Sequence, residues 1–327
     1  MKNVIDYKNY FIKATEYAAV ACSQLRGCGN KNEADQAAVN AMRVILMSSP
    51  INSRIAIGEG EIDEAPMLYI GEKLGVNIDD DNTPGLDIAV DPLECTKNCA
   101  DNNPNAMTVM AVAPKGKLFS APDTYMNKLV TNKNFKDIVS LDFSIEKNIE
   151  NIASKSGKDK NQINAIVLDR PRNQYIVDSL SKLGVQIEMI SDGDVAASLK
   201  VASGAADVYM GIGSAPEGVI AATAVKGLGG YFDGKLHFHS DSAKQRAKEM
   251  SDISVDEIID INRLCASNNS IFVATGVCDG WIDGVRIDGN KAYTNTILID
   301  VDKSEVHKIT NCYSIKDVNK YIMEGVE

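Results

Sequence analysis

A chain of 327 residues, 44% hydrophobic and 24% charged, is long enough to bury a substantial core as one large domain or two modest ones. Its formal charge of -11 argues against nucleic acid or an anionic membrane as a partner, but not against a phosphorylated ligand held through divalent metals and a few local Arg or Lys residues. Seven scattered cysteines with no C-x-x-C pair, no apolar signal core at the N-terminus and no apolar run of ~18 residues point to a reducing, cytoplasmic setting.

Residues 7–25 carry Phe11, Ala14, Ala18, Ala19 and Cys22 at helical spacing. A break at 27–30 precedes a second helix over about 32–47, with Asn30 or Asn32 as its cap and Ser49-Pro50 as its stop. Short apolar runs follow, each ending in glycine or an acid: 54–57 before Gly58-Glu59-Gly60-Glu61, 86–90 before Asp91-Pro92, and 106–113 before a Lys115-Gly116 turn that reads as a hairpin into Leu118-Phe119. In the second half, strands over 165–168, 186–190 and 206–210 alternate with helices over 175–183, 195–202 and 218–225. The polar stretch 151–161 reads as a link between halves, and 240–254 as a charged helix or connection. This alternation predicts a layered α/β protein whose strand ends gather functional groups along a sheet edge.

The acids concentrate at a few of those ends: Asp35, Glu59, Glu61, Asp63, Glu64, Asp91 and Glu94. Hard divalent cations take oxygen ligands, and hydrolysis with two metals needs carboxylates that bridge them. Glu59 lies between glycines that allow a sharp turn and close approach to a ligand, while Pro92 suits a helical turn that would put Glu94 beside Asp91. Asp35 also suits a helix dipole, and Asp63-Glu64 a solvated turn. Spacing alone leaves open whether these segments converge on a metal or are solvated loop acids.

The strings GEGEIDEAPMLYIGEK at 58–73, AVDPLE at 89–94, APDTYMNKL at 121–129, SDGDVAAS at 191–198, GIGSAPEG at 211–218 and ATG at 274–276 resemble the class II fructose-1,6-bisphosphatases, in that family's order and over most of the chain. The resemblance implies the layered α/β/α/β/α sandwich of the lithium-sensitive sugar-phosphatase superfamily. It implies a metal-binding catalytic half over 1–155 and a substrate-binding half over 156–327, with the active site between them. It assigns Asp35 and Glu59 to one Mn²⁺ or Mg²⁺, and Asp91, Glu94 and Glu217 to another. Glu61, Asp63 and Thr96 fall on positions near the chemistry, where Thr96 and a neighbouring acid would activate the attacking water. The reaction implied is in-line attack on the 1-phosphate of fructose 1,6-bisphosphate, releasing fructose 6-phosphate and phosphate, as in gluconeogenesis. A homodimer or homotetramer is expected from the family alone.

Substrate contacts follow the same way. Arg170-Pro171-Arg172 after a strand would clamp a phosphate, although the family often has Lys at position 170, and otherwise these are solvated charges. Tyr125 matches a substrate-contacting tyrosine, Lys31 a residue that reaches the active site unless it is simply solvated, and Asp192-Gly193-Asp194 a helix start whose carboxylates would accept sugar hydroxyls. Gly211-x-Gly213-Ser214 lacks the third glycine of a dinucleotide loop and reads as close backbone approach to substrate. His237-x-His239 on a strand is a surface pair before it is a metal site, His307 stands alone, and Trp281 is packing.

One departure stands inside the metal segment. Cys95 occupies a position where the family usually has Gly, with Glu94, Cys95 and Thr96 all on matched substrate-contact positions. A positive φ there would strain Cys by about 1–2 kcal/mol. The thiol would alternatively crowd the phosphate, act as an oxidation-sensitive switch, or, as the reading preferred here, point away harmlessly. The competing functions are a sedoheptulose-1,7-bisphosphatase or dual-specificity enzyme, and a non-catalytic sugar-phosphate sensor; the intact acids and Thr96 favour an enzyme.

Overall fold

The computed structural model describes residues 3–60, 67–78, 80, 82–238, 244–245 and 256–326. In chain order the first stretch forms α1 (Lys8–Ser23), α2 (Lys31–Ser48), β1 (Asn52–Ile57), β2 (Lys73–Leu74), β3 (Gly85–Glu94), α3 (Thr96–Asp101) and β4 (Met107–Pro114). Next come β5 (Tyr125–Thr131), α4 (Ile145–Ser156), β6 (Asn164–Leu168), α5 (Gln174–Lys182), β7 (Gln186–Ile190), α6 (Asp194–Ala202), β8 (Val208–Ser214), α7 (Ala215–Gly227), β9 (Tyr231–His237) and β10 (Ile259–Asp260). The chain closes with β11 (Ile271–Gly276), β12 (Arg286–Asp288), β13 (Lys291–Asp300), β14 (Glu305–Ser314) and a C-terminal helix, Ile315–Val326.

Two compact units result, Met1–Leu118 with Ser267–Glu327, and Phe119–Ala266. They are not the consecutive stretches 1–155 and 156–327. The reason is pairing: β11 lies antiparallel to β4 from Ile271↔Val112 to Gly276↔Met107, so Ser267–Glu327 returns to the first unit. The Lys115-Gly116 turn therefore leads to no hairpin partner; Leu118 ends one unit and Phe119 opens the other. Residues 151–156, expected in a link, are the last turns of α4, which buries Ile149 and Ile152 and exposes the polar face that suggested a linker.

The first unit holds an eight-stranded sheet, β12-β13-β11-β4-β3-β1-β2, with β14 on the free side of β13. β4 and β11 are apolar almost throughout and buried, as central strands covered on both faces must be. α1 and α2 pack on each other, with Phe11, Ala14, Ala18, Ala38 and Met42 in a core shared with Ile88, Met110 and Val273. Of the two candidate caps for α2, Asn30 does the work: its side chain accepts the Glu33 N–H at 3.3 Å.

The second unit holds a six-stranded sheet, β10-β9-β5-β8-β6-β7, in which only the β8-β6-β7 part is parallel. Its core joins Leu129, Val167 and Val208 from strands to Ile149, Ile152, Ile176 and Leu180 from α4 and α5. The chain is thus α/β, with helices and two mixed sheets.

Candidate active site

β1 and β3 run parallel side by side, so their C-terminal ends open on one edge of the first sheet. Glu59 follows β1. Its neighbour Gly58 is required by the chain itself rather than by a ligand: a Cβ there would lie 1.9 Å from the Leu68 carbonyl oxygen, which accepts the Glu59 N–H at 3.1 Å. β3 does not stop at Asp91 but runs on to Glu94, slipping register against β4 between those two residues. In a regular strand, residues three apart face opposite sides; the irregularity restores them to one side. Their carboxylate oxygens come within 4.8 Å. A strand bulge, not a helical turn at Pro92, makes the pair.

Asp35, in the second turn of α2, completes the cluster in this unit. Desolvation, then the charge of Asp35, then that of Asp91, pushes the Glu59 carboxyl up to about 8. Glu59 as a residue stays exposed by surface area, so water softens the shift without reversing its direction. Asp35 is raised too, by burial, with Lys31 pulling it back. Acids that raise one another in this way are relieved by a cation. Four carboxylates with no sulfur or imidazole among them fit a hard divalent ion. Lys31 is the exposed first residue of α2.

Cys95 sits at φ 63°, ψ 49°, in the left-handed region. The harmless-substitution reading is therefore corrected, because a side chain in that backbone is strained. The thiol is also 4% exposed and belongs to the core. Burial withdraws it from oxidants at the surface. Thr96 opens α3 and donates its hydroxyl proton to the Leu93 carbonyl at 2.9 Å. That leaves Thr96 Oγ1 as an acceptor towards water. Glu61 and Asp63, the expected acids near the chemistry, lie outside the described residues, as do Glu64 and His239.

In the second unit, Tyr125 and Ser214 are register partners on β5 and β8. The Arg172 guanidinium stacks 4.1 Å from the centre of the Tyr125 ring, and its Nε donates to the Ile212 carbonyl at 2.8 Å. The guanidinium is thereby held by a ring face and a backbone carbonyl. Pro171 begins the short turn that carries Arg172. Arg170 behaves differently: it donates to the carbonyls of Asp169 (2.9 Å) and Ser191 (2.7 Å) and lies 3.9 Å from Asp192. It ties two loops together.

Gly193, at φ 93°, turns the chain into α6. Asp192 stays partly open, but Asp194 is 2% exposed and paired with Lys128, itself 1% exposed. Burial disfavours the Asp194 carboxylate, and the Lys128 charge, followed by hydrogen bonds that include Glu217, holds it ionised below the usual range. The Asp194 carboxylate is thus committed inside the unit and not offered to a sugar hydroxyl. Gly213 makes room for this pair, since a Cβ there would lie 2.1 Å from Asp194 Oδ2 and 3.3 Å from Lys128 Nζ. At Gly213 the glycine-rich strand end admits a buried ion pair. Ser214 caps α7, accepting the Glu217 N–H at 3.5 Å, and so positions Glu217 in the first turn. Lys128 escaped the sequence reading, although a signal was present: it shares the inward face of β5 with Met126 and Val130. His237 ends β9, and His307 lies 3.5 Å from Glu305 on β14.

The pattern of the family described as bacterial fructose-1,6-bisphosphatase, glpX-encoded, matches residues 6–313. A D-fructose 1,6-bisphosphatase class 2/sedoheptulose 1,7-bisphosphatase of Prochlorococcus marinus (strain MIT 9301) is 38% identical, covering 95% of this chain and 97% of that protein. The protein so named in Synechococcus elongatus is 36% identical over 94% and 96% of the two chains. The fructose-1,6-bisphosphatase class 2 of Haemophilus influenzae is 38% identical over 95% and 97%. Fold, acid cluster and these matches define a phosphatase, a hydrolase of phosphoric monoesters. The chain belongs to the bacterial fructose-1,6-bisphosphatase family.

Proposed function

We propose that this protein removes the 1-phosphate of fructose 1,6-bisphosphate, serving gluconeogenesis in the cytoplasm as a homodimer or homotetramer. Asp35 and Glu59 would hold one Mn²⁺ or Mg²⁺, and Asp91, Glu94 and Glu217 another, as the family resemblance assigns them. When bound, such a cation neutralises phosphoryl oxygens and makes a water nucleophilic at neutral pH. Thr96 Oγ1, its proton engaged by Leu93, accepts a hydrogen bond from that water and orients it. Arg172, locked over Tyr125, presents paired N–H donors to a phosphate. Glu61 and Asp63 take the proton-handling roles, and Lys31, Asp192, Gly193 and the backbone at Cys95 line the substrate. Asp194, Arg170 and Ser214 act by shaping the segments that carry these groups.

The observation that carries this reading is the family match over 6–313 together with the mutually repelling acids Asp35, Glu59 and Asp91. No helix among the described residues is long and apolar enough to cross a membrane, in keeping with a metabolic enzyme. The names of the cyanobacterial relatives favour a second reading, activity on sedoheptulose 1,7-bisphosphate as well. Phosphate release from both bisphosphates, with Mn²⁺, Mg²⁺ or EDTA, separates the two. Thr96→Ala is expected to lose at least about a hundredfold in kcat and to keep substrate binding. Binding without release under either metal would leave the sugar-phosphate sensor and overturn the enzyme.

A further inference from the structure

Away from the acids, the first unit carries a cavity of about 550 Å³ between the N-terminal half of α1 and the β13-β14 ribbon. Its composition runs against that of the chain. Asp and Glu outnumber Lys and Arg 45 to 34 overall, yet three of the ten lining residues are lysines (Lys8, Lys13 and Lys308), a fourth is His307, and none is acidic. The arrangement follows from two periodicities. Lys8, Ile12 and Lys13 fall on one face of α1, while His307, Ile309, Asn311 and Tyr313 alternate along one face of β14.

The floor is built rather than incidental. Tyr313 donates its phenol proton to the buried Glu16 carboxylate, and Asn311 Nδ2 donates to the same group at 2.9 Å and 3.1 Å. Thr294 and Thr296 hydroxyls add two more hydrogen bonds, at 3.1 Å and 2.8 Å, so Glu16 is satisfied within the protein beneath Asn311 and Tyr313. Lys13 Nζ is held over the rings of Tyr17 and Tyr321, 5.0 Å and 4.6 Å from their centres. Among the described residues Lys8, Lys13 and Lys308 have no carboxylate within ion-pair distance, and His307 alone has one, Glu305 at 3.5 Å. Two ammonium groups, Lys8 and Lys13, and the His307 imidazole around a part-apolar floor of Ile12, Leu298 and Ile309 favour a compact anion attached to an apolar body; the Lys308 side chain lies on the other face of β14.

We propose that this cavity is a second binding site, separate from the acid cluster, for a small organic phosphate. The phosphate meets the ammonium groups, and the organic part rests on Ile12, Leu298 and Ile309.

The test uses pyridoxal 5′-phosphate, whose aldehyde condenses with a lysine amine to an imine with loss of water. Borohydride traps the imine, and peptide mass analysis then locates it. EDTA is present throughout, so that phosphate held through metals does not contribute. Lys8 or Lys13 is expected to be labelled about tenfold faster than the exposed Lys155, Lys182 and Lys308, as a local positive field concentrates an anion. Inorganic phosphate should protect more than chloride of equal ionic strength, and pyridoxal without its phosphate should lose the preference. His307→Glu, which places a carboxylate in the lining, should abolish the preference while the thermal midpoint stays put. Labelling at the common rate, or an equal preference with pyridoxal, overturns the proposal. The result is independent of turnover, so it stands or falls apart from the assignment of the acid cluster.

Discussion

Cys95 is where one residue's backbone and side chain make opposite demands. The left-handed conformation at φ 63° costs a non-glycine residue about 1–2 kcal/mol, while the buried thiol returns part of that through packing. Replacing it by Gly removes the strain and the packing together; replacing it by Ala removes packing and keeps the strain. Cys95→Gly should therefore be more stable than Cys95→Ala by about 1 kcal/mol, the reverse of the usual order for those two residues. Urea denaturation of the two variants measures the difference, and an alanine variant at least as stable would show an unstrained backbone. The identity of position 95 was plain in the sequence, but its φ was not. The same holds for Asp91 and Glu94, whose types announced a metal site while the bulge that turns both to one side left no mark on their spacing.

Elements were legible where one physical signal dominated. The 3.6-residue apolar stripe placed α1 and α2 to within two residues, because their buried faces are wide and alanine-rich. It failed for α4, whose few buried apolar side chains sit among Lys, Asn and Glu. Glycines are hard to read for another reason: a missing Cβ does not say what occupies the space. At Gly213 the occupant is the Lys128–Asp194 pair, linking β5 to α6 beneath the start of α7. Removing one partner of such a pair leaves an uncompensated buried charge, so Lys128→Met should cost about 3–5 kcal/mol. Lys128→Met with Asp194→Asn should recover most of that loss, because neither charge then remains. A double variant as unstable as the single one would mean that lysine packing, not charge pairing, supports the element.

At the scale of the whole chain, the first sheet joins strands from both ends of the sequence, and no local pattern reveals that β11 completes β4. The acids that this sheet and α2 bring together also give the molecule a pH-dependent stability that depends on metal. In the metal-free protein the Glu59 carboxyl is raised from 4.5 to about 8, so the fold binds its proton more tightly than the unfolded chain does. That contribution is fully present below 4.5, diminishes as pH rises, and is gone above about 8. In EDTA the urea midpoint should therefore fall between about pH 5 and about pH 8, and Glu59→Gln, which carries no titrating proton, should flatten the decline. Excess Mn²⁺ should reverse the slope, since a cation binds the deprotonated acids and stabilises the folded state by mass action. If wild type and Glu59→Gln decline in parallel without metal, or if Mn²⁺ leaves the wild-type slope unchanged, these carboxylates are not held close enough to form a metal site.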